Sequence, residues 1–467
     1  MKIRYTILLL LSLFIFQSCN DWLDVDPRTQ QKVDKMFASQ KGYQDALTGV
    51  YLELVHNESY GQFLTQSKIE NLVNFWTTNA GSGEEALSLH NYKNDDAAAF
   101  IKRIYARQYK AILGANSILE HIEDNSEILS TGGYESIKGE CLAIRALCHL
   151  DLLRLFGPVP GQEDNTPILT YMTTVSAELH PLDTYSTIKT KILDDLFLAE
   201  ELLQKKKDMQ DDITVDYYAD QPVRINVFAV KSILAQAYLW FGEKQNANNY
   251  AWEVIHAAEN VELGCSLGEA SDMDEFDYML TPEFIFALSR FDAYARYQAL
   301  FEGHALYKGI NESFIKNDIF ESSGTDIREL NLWKQVIASN QAQYYITTKY
   351  FAFEDPGQFD RDLYFIPIIR LSEIYFIAVE TGGATPENQA LWDEFTTSRN
   401  IENVTLPTDN TELSNLLLKE YRKEFYAEGK AFYFYKRHNI QKDNFLWAQA
   451  QLNVNYVLPL PNTEVVQ

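Results

Sequence analysis

Apolar residues recur at steps of three and four along most of this chain, the mark of helices with one buried face. Over residues 97–122, Phe100, Ile101, Tyr105, Tyr109, Ile112, Ala115, Ile118, Leu119 and Ile122 trace such a face. Residues 134–156 repeat it with Ile137, Cys141, Ile144, Leu147, Cys148, Leu152 and Leu155, and Gly157-Pro158 predicts a left-handed cap followed by a stop. Thr184 to about Leu203 is a third segment, and Leu413 to about Lys436 reads as one last strongly helical stretch.

Two regions break the pattern. Residues 56–95 mix Asn, Gly, Thr and Ser with aromatics, and residues 260–365 carry Gly-, Asp- and Ser-rich stretches around a β-like run, Tyr344 to Phe351. Connections this long inside a compact protein are usually functional, and irregular insertions on a rigid helical support are the layout of a recognition protein. Between the regions, Ala235, Tyr238, Gly242, Ala247 and Ala251 fall at offsets resembling a tetratricopeptide repeat, in which small residues let two antiparallel helices approach. Ile368 to Val379 begins in the same way and loses the pattern at Gly382-Gly383.

The first residues are of another kind. Lys2 and Arg4 precede an apolar run from Ile7 to Phe16, about ten residues, too short to span a bilayer and suited to a signal peptide. Gln17-Ser18-Cys19 then leads into Asn20-Asp21, as in a bacterial lipobox. Residues 1–18 are thus expected to be a lipoprotein signal peptide, with Cys19 as the lipid-bearing mature N-terminus and residues 19–467 as one domain. Several acyl chains at about 0.8 kcal/mol per buried CH₂ hold a protein firmly to a membrane.

A formal net charge of −26 argues against a nucleic-acid partner, because phosphate binding needs positive surface. Cys141 and Cys148, seven apart on one helix, would sit about 10 Å apart, beyond disulfide reach. No C-x-x-C or H-E-x-x-H spacing suggests zinc, and no cofactor or metal is expected.

In several blocks the chain resembles the SusD/RagB family of Bacteroidetes-type bacteria. Cys19 to Pro27 is similar to the family's mature start, and Ile144-Arg145-Ala146-Leu147 leading to Asp151 through Pro160 to its most recognisable block. Val227 to Trp240 matches its tetratricopeptide-like helix, and Pro367-Ile368-Ile369-Arg370 with Glu373 resembles another block. Glu420, Glu424, Glu428-Gly429 and Arg437 fit the C-terminal signature, and Leu458-Pro459-Leu460-Pro461 the usual ending. Tyr421 and Ala431 stand where many members have arginine, and Phe434 where they often have aspartate.

The resemblance implies a mainly α fold: four tetratricopeptide-like helical pairs supporting an irregular ligand-binding half with little β structure. It implies a cell-surface, lipid-anchored outer-membrane protein that captures a nutrient, an oligosaccharide or in some members a peptide. It also implies a partner, a SusC-like TonB-dependent transporter to which the ligand is delivered.

Flat aromatic faces suit sugar rings. Aromatics on the periodic helices belong to the core, which leaves Trp76, Tyr92, Tyr294, Tyr297 and Trp333 in the irregular regions as candidate ligand contacts. Trp76, within Asn74-Phe75-Trp76-Thr77-Thr78-Asn79, is the first choice, having hydroxyls and amides beside an indole. An enzyme is the rival class, with Asp211-Asp212, Asp272 with Asp274, or Asp360 with Asp362 as conceivable acid pairs. Each reads more simply as a solvated loop. No Gly-x-Ser-x-Gly elbow or phosphate loop appears, and His90, His256 and His304 stand alone.

Overall fold

The computed structural model describes residues 33, 35–209, 222–309, 311–337, 341–351 and 365–461. Cys19 and the whole expected signal peptide lie outside the described residues.

Eight helices form a ladder: α1 (Gln40–Leu54), α2 (Asp95–Ile122), α3 (Gly133–Phe156), α4 (Tyr185–Asp208), α5 (Val227–Trp240), α6 (Lys244–Glu259), α7 (Leu371–Gly382) and α8 (Pro386–Ser398). Each packs on the one before it, which gives four successive pairs, α1–α2, α3–α4, α5–α6 and α7–α8. Polar side chains start them. Ser39, Asn94, Thr184, Asn226 and Thr385 each accept a backbone N–H from the first turn of their helix, and each such cap is worth about 1 kcal/mol. Gly242, at φ +74°, turns α5 into α6, where Ala235 and Ala247 are both wholly buried.

Central to the ladder, α3 is buried on nearly every side. The guanidinium of Arg145 forks onto Asp195 of α4, with Nε–Oδ2 2.6 Å and Nη2–Oδ1 2.7 Å, and also donates to Asn116 Oδ1 of α2 at 3.0 Å. One residue of the Ile144–Leu147 block thereby ties three rungs together. Gly157 does not take the left-handed cap expected of it; its backbone is extended, at φ −77° and ψ 173°. The helix end is closed instead by Lys436, whose ammonium donates to the Leu155 and Gly157 carbonyls at 3.2 and 2.8 Å. Cys141, Cys148 and Cys265 are free thiols.

Outside the ladder the chain builds the irregular half, chiefly between α6 and α7, and a small ribbon between α3 and α4. Strand β1 (Pro167–Leu169) pairs with β2 (Asp183–Thr184), β3 (Phe284–Ser289) with β6 (Phe365–Arg370), and β4 (Trp333–Ile337) with β5 (Gln343–Thr347), each pair antiparallel. Ile368 to Arg370, expected at the start of a helix, are strand; the helix begins at Leu371. The stretch expected as one helix over 413–436 is two, α9 (Asn410–Glu424) and α10 (Lys430–Arg437). Ala427 and Gly429 between them have φ of +63° and +77°. A Cβ on Gly429 would stand 2.2 Å from the Leu64 carbonyl oxygen, so both the turn and the close approach require glycine.

The break has an electrostatic purpose. It directs Glu428 beside Glu424 into a buried charge cluster. Arg370 donates to Glu283 (2.8 Å), Glu424 (2.7 Å) and Glu428 (2.9 Å). Arg328 reaches Asp326, Glu420 and Glu424 at 2.7, 2.8 and 3.0 Å. Arg399 holds Glu283 and Glu424, and Lys349 holds Glu428 at 2.6 Å. Buried charges persist only when paired and fully hydrogen-bonded; here the pairing is mutual. Tyr421 and Phe434 lie against each other, ring centres 4.6 Å apart.

Candidate functional site

The structure separates the five aromatic candidates. Trp76 is a core side chain, 3% exposed, because its segment turns inward. Its Nε1–H donates to the Gln66 carbonyl at 2.7 Å, and Tyr426 meets the ring edge-on at 5.0 Å. Tyr297 is likewise buried, against Phe301 and Phe351. Tyr92 is buried too, its hydroxyl donating to the Asn455 carbonyl at 2.6 Å. These three therefore offer no free ring face to a ligand. Trp333, on β4, is half-buried with Tyr426 edge-on at 4.8 Å, and Tyr294 is half-buried with its hydroxyl accepting from Gln298. Trp76 and Trp333 thus meet at Tyr426, and Phe301 joins Trp76 to Tyr297.

That buried aromatic mass supports a half-exposed rim which sequence reasoning missed. Tyr344 of β5 stacks on His304 at 4.4 Å and receives the edge of Tyr307 at 4.6 Å. Phe314 and Trp447 lie 6.2 Å apart, linked to the Tyr344 strand through Lys308, and all five rings are partly exposed. Hydrogen bonds hold the rim together: the Thr77 N–H donates to the Tyr307 carbonyl at 2.9 Å, and the Gly309 N–H to the Thr77 hydroxyl at 2.9 Å. Lys308 is buried against Phe314 and Trp447, and burial pushes its ammonium down to about 7 against the opposing pull of Asp318. Asn74 and His304 both stand at positive φ, +63° and +60°. Non-glycine residues held there cost about 1–3 kcal/mol each and gather at binding sites. Alternation along the Tyr344 run was the available signal for this rim; Trp447 gave none.

Larger concavities lie elsewhere. Two adjoining clefts, of about 850 and 690 Å³, flank the extended C-terminal segment where it crosses α2. Tyr92 is on the floor of the first, and Pro167, Met172, Leu179 and Pro181 wall the second. Their lining is mostly apolar, and Tyr92 and Tyr105 are too deeply buried to present a ring face. Such a surface suits a polypeptide better than a sugar, whose hydroxyls need polar partners.

Of the three acid pairs, the structure describes one. Asp272 caps a short helix by accepting the Glu269 N–H at 2.9 Å, while Asp211, Asp212, Asp360 and Asp362 lie outside the described residues. Among the described residues no group of three or more His, Cys, Asp or Glu is placed to hold a metal ion. No helix among them is long and apolar enough to cross a membrane.

Residues 21–239 match the family model SusD-like, described as starch-binding and associating with the outer membrane. That stretch, 219 of the 467 residues, is similar to the SusD-like family. SusD-like protein P25 of Formosa agariphila is 28% identical over 167 residues, which cover 34% of this chain and 31% of that protein. The match thus spans about a third of the curated relative's length. The fold extends the likeness across the chain. A SusD superfamily structure from Bacteroides thetaiotaomicron superposes with a TM-score of 0.70 at 20% identity, covering 92% of this chain and 98% of the other. A SusD-like protein described as laminarin-binding superposes with a TM-score of 0.63 at 17% identity, covering 91% and 97%. Arg370, Glu420, Glu424 and Glu428, which carry part of the resemblance, are buried charge-cluster members. They hold the scaffold, and the aromatic rim is carried by other residues.

Proposed function

We propose that the protein captures an oligosaccharide against the aromatic rim at the cell surface and delivers it to a SusC-like TonB-dependent transporter. The rim carries the reading. Tyr307, Tyr344 and Trp447 are partly exposed, and the Thr77 N–H is bonded to the Tyr307 carbonyl at 2.9 Å. Rings of that kind stack on the C–H face of a pyranose while polar neighbours bond to its edge. The family description and the laminarin-binding neighbour support a glycan over a peptide, the alternative ligand. The protein acts as a binder and not as an enzyme, consistent with the family it resembles.

Calorimetry with laminarin and starch oligosaccharides, and with peptides of similar length, tests this. Tyr344→Ala is expected to lower glycan affinity by about 2 kcal/mol, roughly thirty-fold, with an unfolding midpoint near that of the wild type. Saturable peptide binding without glycan binding would replace the ligand class, and turnover of either would replace the function.

Anchoring belongs to the same proposal. Cys19 bears the lipid, so Cys19→Ala should move the protein from the membrane to the soluble fraction in cells lacking the transporter. Retention of the variant in the membrane fraction would dismiss the lipid anchor.

A further inference from the structure

We propose that Lys308 and Asp318 are positioning residues for Trp447, which they hold at the rim as a stacking surface for a sugar ring. The inference rests on the glycan reading above and adds to it the residue that does the stacking and the pair that aims it. Trp447 comes from a turn 129 residues beyond Asp318, so its place at the rim depends on what grips it there.

Two grips are visible. The Nε1–H donates to Asp318 Oδ2 at 2.7 Å, which fixes the rotation of the ring in its own plane. The Lys308 ammonium lies 3.7 Å from the ring centre, over one face, which fixes the tilt. Phe314 and Phe75 meet the ring nearly edge-on at 6.2 and 6.3 Å, and the indole stays partly exposed. The lysine backbone is itself stitched to β5: its N–H donates to the Tyr345 carbonyl at 2.8 Å, and the Tyr345 N–H donates to Gly309 at 3.2 Å. Lys308 thus joins the strand that carries Tyr344 to the turn that carries Trp447.

Stability alone does not account for a cation here. Lys308 is 5% exposed and forms no ion pair among the described residues, its nearest acceptor being the Asn74 carbonyl at 3.3 Å. A methionine would fill the same space without the cost of desolvating an ammonium. What methionine would lack is the charge against the indole face. The ionisable groups on the packed elements are few. Asp318 shares a turn with Lys316, which pairs with Glu312 in solvent; β5 brings the phenols of Tyr344 and Tyr345. The turn before Trp447 brings Asp443, and Lys442, which is bonded to the Ala450 carbonyl; residues 74–79 bring none. With Lys308 poised near neutrality, its hold on the ring varies over the ordinary working range of pH.

Tryptophan emission of the full chain, followed between about pH 5.5 and 9, tests the grip without any ligand. Wild type should show a transition near neutrality that is absent in Lys308→Met and in Trp447→Phe, and moved to lower pH in Asp318→Asn. Binding of laminarihexaose and maltohexaose then tests the stacking. Trp447→Ala should bind at least ten-fold more weakly than wild type, with Trp447→Phe between them. Wild-type affinity should change through the same pH range, while Lys308→Met loses that dependence and Lys308→Arg keeps the low-pH affinity throughout. A folded Trp447→Ala with wild-type affinity, or a Lys308→Met with the wild-type pH profile, would overturn the proposal. Failure of the wild type to bind either probe would overturn the glycan reading, and the stacking with it, even with the emission transition intact.

Discussion

Glu424→Gln should lower the stability of the fold by about 3–5 kcal/mol, because it strips the shared anion from three buried guanidiniums. The Glu424 carboxylate accepts from Arg370 at 2.7 Å, from Arg399 at 2.9 and 3.0 Å, and from Arg328 at 3.0 Å. Glutamine keeps the shape, turns one acceptor into a donor and leaves the cations facing an N–H₂. Whole domains are commonly stable by only about 5–15 kcal/mol, so the loss should appear as a large drop in the urea midpoint. Acid should act in the same direction. Burial by itself would raise the Glu424 carboxyl, but Arg399 and Arg370 outweigh it and hold the group well below the usual carboxylate range. A group depressed on folding contributes fully above its unfolded value and loses that contribution as pH falls toward the folded one. An unchanged midpoint in Glu424→Gln would mean that the guanidiniums do not depend on this carboxylate.

Trp76→Ala should likewise lower stability by about 3–5 kcal/mol. It should leave the glycan affinity of the folded molecules within a few-fold of wild type. The indole is enclosed by Tyr426 and Phe301, and its N–H is satisfied within the protein. Thermal melts and calorimetry on the same preparation separate the two quantities. A variant with the wild-type midpoint but a large loss of affinity would put Trp76 back at the ligand.

These two residues also mark where the sequence was and was not legible. The ladder could be read because periodicity and helix starts are local: the apolar face of 97–122 and the cap at Asn94 lie in one stretch of chain. Trp76 was misjudged because its polar neighbours looked like ligand contacts. In the structure Asn74 spends its amide on the Ser88 carbonyl, and the Thr77 hydroxyl receives the Gly309 N–H. Polar flanks that satisfy distant backbone cannot be told from free ones before the chain is folded. The helical reading of 413–436 failed at Ala427 and Gly429 for a related reason. Most residues there favour helix, but Gly429, at φ +77°, takes the turn that brings Glu428 to Arg370 and Lys349. The signature acids were visible as a block, while Glu283, Arg328 and Arg399, which complete the cluster, come from segments with no local mark. The rim escaped for the same reason, since Trp447 meets Lys308, and through it the Tyr344 strand, only across a long stretch of chain.

The order in which the charge cluster is encoded sets a schedule for folding. A chain made from its N-terminus presents Arg328, Lys349, Arg370 and Arg399 before Glu420, Glu424 and Glu428 exist, so four cations at first have only Glu283 and Asp326 to neutralise them. Burying that excess is costly, so closure of the irregular half draws on acids that come last in the chain. Its final α9–α10 segment therefore works as a latch on timing. A chain ending short of it lacks Glu424 and Glu428, the shared anions of Arg370, Arg399 and Lys349.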